Sequence, residues 1–253
     1  VIGGLNHASA EAAVGIFSFL TRSVLTLDSL EEAEMVKLIN NSYRDVSFGF
    51  ANEVALIAGR WGVNPRKVIK AANFGYERSR VPLPSPGVGG YCLAKDPQIF
   101  AAGAREKGYR PVLVTAGRRV DTAILASVAD AALAFLKKNH IALARARIGL
   151  LGVAFKGEPK TSDLRGSPAL AVVALLRAQG IRNILGHDPA VPVRALTQAG
   201  LTPAPNFAAL AKRADVLLVM NNNTDFARYD IRKALAGRKK PVFIFDGWAV
   251  WTE

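Results

Sequence analysis

Cysteine is nearly absent from these 253 residues: there is one, Cys92, and the only histidines are His7, His140 and His187, far apart. A single thiol excludes an internal disulfide, and the histidine spacing gives no metal-ligand pattern, so no metal is expected. Long apolar runs are lacking as well. None would cross a bilayer, and the opening VIGGLNHASAEAA has neither the basic start nor the apolar stretch of a secretory signal. The expectation is a cytoplasmic chain with no membrane partner. Aromatic residues are not interleaved with the basic ones, although the net charge is +13. The cations come as short clusters such as Arg118 and Arg119, Lys137 and Lys138, and Arg238 to Lys240, without a nucleic-acid-reading motif. They read as solvated faces, and a nucleotide diphosphate gains from such a field without nucleic acid being the partner.

What is abundant is apolar sequence. At 50% hydrophobic the chain can bury the cores of two compact units. Val1 and Ile2 followed by Gly3 and Gly4 read as a strand end entering a loop, and Ser9 to Leu20 has the spacing of a short helix, so residues 1–28 read as the tail of something that precedes them. From Ser29, a plausible N-cap followed by Glu31 and Glu32, one long helix is expected. Its stripe of Val36, Ile39, Tyr43, Val46, Phe50, Val54 and Ile57 predicts packing against helices at 65–73, 97–107 and 112–138, and against another subunit through residues 30–61. After Ala144 the pattern changes. ARIGLLGVAF, IRNILGHDP, ADVLLVMN and PVFIFDG read as strands, with helices SPALAVVALLRAQG, VRALTQAG and IRKALAG between them. That alternation predicts a parallel sheet covered on both faces, with ligands at loops beginning near Phe155, His187, Asn221 and Asp246.

Two places carry chemistry. Lys37 and Asn41 stand four residues apart and so share a helix face, where a charge and a neutral donor can converge on one oxygen; the competing reading is a surface lysine beside Glu34. PGVGGYCLAKDP holds Gly87, Gly89 and Gly90, which let backbone approach a ligand or turn sharply. A helix starting after Cys92 would put the thiol near a positive helix end. Asp96 would then lie about one turn from the sulfur, able to orient a water, or else simply cap a helix before Pro97.

AEMVKLINNSYRD, NEVALIAGRWGV, PGVGGYCLAKDP, LGVAFKGEPKTSDLRGSP, GHDPAV and FIFDG follow one another as in the UDP-glucose/GDP-mannose dehydrogenase family, which the chain resembles over nearly its whole length. The resemblance implies an all-helical central dimerisation domain at 29–143 and a Rossmann-like parallel α/β UDP-binding domain at 144–253. It implies oxidation of a UDP-sugar C6 alcohol to a carboxylate with NAD as hydride acceptor, through a thiohemiacetal and a thioester on Cys92. Lys37, Asn41 and Asp96 would serve that chemistry. Gly87, Gly89, Gly90, Tyr91, Phe155 and Lys156 would line the substrate, with Arg78 or Arg80 reaching a neighbouring subunit's substrate, and Arg165 would reach the cofactor.

Two departures accompany the resemblance. No GxGxxG follows a strand near the start, so the family's N-terminal NAD-binding Rossmann domain is missing from this sequence. FDG is followed by Trp248 where many relatives carry arginine. Alternatives to a UDP-sugar 6-dehydrogenase are a GDP-mannose 6-dehydrogenase and a non-catalytic nucleotide-sugar-binding or assembly module; the sequence leaves the sugar open, and this chain alone is expected to be inactive.

Overall fold

The computed structural model describes residues 1–251. Ile2 bridges in parallel to Thr26, and between them lies α1 (His7–Phe17). Asn6 and Ser9 cap that helix reciprocally, which moves its start ahead of the expected Ser9 and its end ahead of Leu20.

Ser29 caps α2 (Leu30–Arg60), its side chain accepting the Glu32 N–H at 3.2 Å. α3 (Pro65–Asn73) follows a cap by Asn64, and α4 (Tyr91–Glu106) and α5 (Val112–Lys138) complete the helical part. As expected, α2 packs against all three. Within the chain it uses only part of the expected stripe: Val36, Val46 and Val54 are half-buried, and Val46 meets Gly117 of α5. Ile39, Tyr43, Phe50 and Ile57 are exposed, while Ser42, Asp45, Gly49 and Asn52, also spaced by three and four, are buried. The cause is a close helix crossing: a Cβ on Gly49 would stand 3.1 Å from Gly117 Cα, leaving no room there for large side chains.

Small residues bring buried charge with them. The Arg118 guanidinium on α5 spans Asp45 of α2 and Asp121 of its own helix, with Nε donating to Asp45 at 2.6 Å. Burial raises the Asp45 carboxyl above its ordinary value, against the hydrogen bonds and charge of Arg118. Asn52 extends the network: its Nδ2 donates to Asp121 at 3.3 Å, and its Oδ1 accepts the Ser85 N–H at 2.9 Å. Ser85 Oγ in turn donates to Gly87 O at 3.1 Å, so the glycine loop hangs from the α2–α5 crossing.

The α/β part runs β1 (Arg147–Leu151), α6 (Pro168–Ala178), β2 (Asn183–His187), α7 (Val193–Gln198), β3 (Thr202–Pro203), α8 (Phe207–Arg213), β4 (Val216–Val219), α9 (Ile231–Leu235) and β5 (Phe243–Asp246). All strand pairs are parallel, in the order β3-β2-β1-β4-β5. β4, VLLV, is buried at every position, as a central strand covered on both faces must be. One face is packed by α6 and by the second half of α5, whose Val128, Ala132 and Leu136 join Ile148, Leu150 and Val172. The other is packed by Phe207, Leu210 and Phe226 around Leu151 and Leu217. Each fully buried Leu or Ile contributes about 1.5–3 kcal/mol. The two parts therefore share α5. Because β1 is flanked by β2 and β4, the order of winding reverses there, which puts the ligand crevice expected of such a sheet beyond the carboxyl ends of β1 and β4.

Candidate functional site

The glycine loop ends against that crevice. Gly90 caps α4 with φ 96°, a conformation a side chain would strain, and a Cβ on it would lie 2.8 Å from the Phe155 ring. A Cβ on Gly89 would meet Pro168 at 2.6 Å and Gly166 O at 2.8 Å, and one on Gly87, φ 112°, would meet Leu125 at 2.8 Å. Gly90 N–H donates to Gly166 O at 3.3 Å. These glycines are thus needed for backbone contact between the helical and α/β parts, and their side-chain positions are filled by protein.

Gly90 sets where α4 begins. The helix starts at Tyr91, not after Cys92, so the exposed thiol sits in the first turn, at the positive end. Asp96 lies one turn further on, with Pro97 tolerated inside the helix, so Asp96 is not the cap before Pro97. It is 1% exposed, and it accepts Asn41 Nδ2 at 2.6 Å and Lys95 Nζ at 2.7 Å, with Lys37 Nζ at 3.9 Å. Burial alone would raise this carboxyl; the bonds from Lys95 and Asn41 and the charges of Lys95 and Lys37 outweigh it and hold it below the ordinary value. Lys95 is raised, chiefly by its bond to Asp96. Lys37 and Asn41 on α2 therefore converge on Asp96 of α4, one helical turn from Cys92.

Tyr91 gathers the next group. Lys95 Nζ and Arg165 Cζ each lie 5.4 Å from its ring centroid. Arg165 is held by Asp163, Nη2 to Oδ2 at 2.7 Å, a bond that raises the guanidinium and lowers the carboxyl. Lys156 Nζ stands 5.4 Å from the Phe155 ring centroid. Arg78 and Arg80 lie in the exposed loop after α3, and no hydrogen bond or ion pair among the described residues ties them to this cluster. Arg80 instead borders a concavity of about 830 Å³ with Lys70, Asn73 and Glu77.

Several positioning groups carry no signature that the sequence reading used. Asp188, closing β2, accepts the Val153 and Ala154 N–H groups at 2.8 and 3.0 Å, and Asn222, after β4, accepts those of Gly157 and Glu158 at 2.8 and 3.1 Å. An acid or amide just past a buried strand is the signal that could have found them. Their bonds occupy the amides following β1, where a dinucleotide-binding turn would present free N–H groups to a pyrophosphate. Beside FDG, the Arg66 guanidinium of α3 donates to Pro84 O and Gly247 O, both at 3.0 Å. Burial lowers it, partly offset by the charge of Asp246. Among the described residues the buried Trp248 Nε1 has no hydrogen-bond partner, and the tryptophan brings no charge where an arginine would have. Among the described residues no group of three or more His, Cys, Asp or Glu could hold a metal ion, and no helix is long and apolar enough to cross a membrane.

Comparison with known proteins gives a consistent picture. The model of the UDP-glucose/GDP-mannose dehydrogenase family, central domain, matches residues 31–123, and that of the family's UDP binding domain matches residues 149–253. UDP-N-acetyl-D-mannosamine dehydrogenase of Pyrococcus horikoshii is 36% identical over 191 residues, covering 76% of this chain and 44% of that protein. The enzyme of the same name from Yersinia pestis is 31% identical, covering 100% of this chain and 57% of its own. A solved UDP-D-ManNAc dehydrogenase from P. horikoshii superposes with a TM-score of 0.85 at 29% identity, covering 99% of this chain and 56% of that one. The chain spans about half the length of the relatives it matches.

Proposed function

The chain belongs to the UDP-glucose/GDP-mannose dehydrogenase family, and from that premise we propose that it is the central and UDP-binding portion of an NAD-dependent UDP-sugar 6-dehydrogenase. The observation that carries this reading is the cluster of Cys92, Asp96, Asn41 and Lys37: an exposed thiol at a helix start, one turn from a buried carboxylate that two lysines and an amide hold ionised. When bound, NAD⁺ supplies the acceptor for a hydride in each of two oxidations. Arg165, exposed and within electrostatic reach of Cys92, would contact that cofactor.

This chain's own part is to hold carbon. The Cys92 thiolate adds to the C6 aldehyde, forming a C–S bond while the carbonyl oxygen takes the electron pair and then a proton, with Lys37 and Asn41 as donors to that oxygen. The resulting thiohemiacetal still bears the C–H that the second oxidation removes. The thioester so formed is attacked by water, which Asp96 orients, and the C–S bond breaks to release the uronate and restore the thiolate. Phe155, Lys156 and the loop at 87–91 frame the nucleotide sugar. The relatives named for N-acetylated sugars favour a UDP-N-acetylhexosamine as substrate.

Mass spectrometry of the complete gene product with NAD⁺ and UDP-glucose, UDP-N-acetylglucosamine or UDP-N-acetylmannosamine tests the reading. A uronate should form with one of them, and Cys92→Ser should abolish it. A folded protein that yields no uronate from any nucleotide sugar, or one indifferent to Cys92→Ser, refutes the reading and leaves a binding module.

A further inference from the structure

At the amino ends of the strands, opposite the crevice, lies a second concavity of about 620 Å³. It is lined by His140 and Ile141 after α5, Arg145 and Arg147 at the entry to β1, Asp215 before β4 and Lys240 before β5. Its one carboxylate is already engaged. Asp215 accepts the Arg147 N–H at 3.0 Å, Arg147 Nη2 at 3.2 Å and lies 3.9 Å from Arg238 Nη2. Among the described residues the side chains of Arg145 and Lys240 have no hydrogen bond and no ion pair. Three cationic side chains, Arg145, Arg147 and Lys240, thus line the concavity with one acid, which Arg147 already engages.

Helix polarity explains only part of this charge. Lys137 and Lys138 sit in the last turn of α5, where the negative helix end calls for cations. Arg145 and Lys240 lie outside any helix, across the concavity from residues 139–141 that follow the end of α5. Among the described residues the lining holds no Phe, Tyr or Trp, and its one ring is the His140 imidazole, so charge is what the site chiefly offers. We propose that this concavity is a binding site for a small oligophosphate, recognised through its phosphate chain by Arg145, Arg147 and Lys240. Converging cations at one concave place raise the local potential for a multiply charged anion more than for a singly charged one. Cys92 on α4 is not among the lining residues, and the site does not rest on the proposed reaction.

Calorimetric titration of the chain with inorganic tripolyphosphate, at fixed ionic strength and with UDP saturating, tests the proposal. Tripolyphosphate should bind the parent, and the double variant Arg145→Ala/Lys240→Ala should bind it about tenfold more weakly or worse, as expected for loss of two charge-assisted contacts. ATP should bind with affinity similar to that of tripolyphosphate, since the contacts proposed are to the phosphate chain. Near-ultraviolet circular dichroism of the variant should equal the parent, because neither side chain has an intramolecular partner to lose. Equal affinity in the variant, or equal heats with sulfate, overturns the proposal. Preferential binding of a short single-stranded RNA, lost in the same variant, assigns the face to nucleic acid instead.

Discussion

Arg118→Met should unfold the protein more easily at neutral pH than in weak acid. Among the described residues the guanidinium is the one cation bonded to Asp45, which is fully buried, and to Asp121, 4% exposed. A methionine fills similar volume and supplies neither charge nor donors, leaving two buried carboxylates facing each other with only the Asn52 amide between α2 and α5. Breaking a buried ion pair from one side costs about 3–5 kcal/mol, a large share of the roughly 5–15 kcal/mol that holds a domain together. The pH dependence has a definite sign. Asp45 is already raised by burial, and without Arg118 the two influences that lower it disappear. A carboxyl with a raised folded-state value stabilises fully below its unfolded value and loses that contribution as pH rises through the folded one. The deficit measured by urea unfolding should therefore shrink between about pH 7.5 and pH 5, and Asp45→Asn in the same background should recover part of it at neutral pH. A deficit below about 1 kcal/mol, or one equal at both pH values, would refute the account of a cation-neutralised crossing.

Gly90→Ala should lower stability by about 2–3 kcal/mol, combining the cost of a positive φ with displacement of the Phe155 ring 2.8 Å away, and should weaken UDP binding; unchanged urea midpoint and UDP affinity would argue against that contact. Asp96, held below its ordinary value, contributes stability that is present above its unfolded value and lost as pH falls from about 4. Asp96→Asn should accordingly flatten the acid limb of a urea-midpoint profile, and an undiminished limb would exclude Asp96 as its source. Asn222→Ala removes the acceptor for the Gly157 and Glu158 amides and should cost about 1–3 kcal/mol. Hydrogen exchange at those two amides should rise, and protection equal to the parent would show that another acceptor holds them.

Most elements of the α/β part were legible because buried parallel strands read as short apolar runs; IGLL and VLLV need no context to be recognised. β3 is two residues ending in proline, and α8 is a single FAALAKR segment, so neither gave enough period to stand out. On α2 the period was right, but within the chain the apolar stripe contributes only its half-buried members Val36, Val46 and Val54. Hydrophobicity marks what avoids water, yet the intrachain crossing is built on Gly49, Ser42, Asp45 and Asn52, where closeness and hydrogen bonding take the place of apolar area. In the cluster, four-residue spacing put Lys37 with Asn41 and Cys92 with Asp96 on shared faces. The Asn41–Asp96 bond between the helices, the sandwich of Tyr91 by Lys95 and Arg165, and the Asp188 and Asn222 caps depend on tertiary approach that spacing does not encode.

The seam between the glycine loop and the α/β part also bears on how such a protein can be recombined. Gly87, Gly89 and Gly90 are shaped to Leu125, Pro168, Gly166 and Phe155, and the Gly90 amide is bonded across the seam. A crossover placed in the stretch between α5 and β1 would separate partners that fit only each other. Hybrids carrying a foreign nucleotide-binding half should tolerate it only when residues 155–168 travel with the loop at 87–90, so the natural unit of inheritance here is the pair of loops, not either half alone.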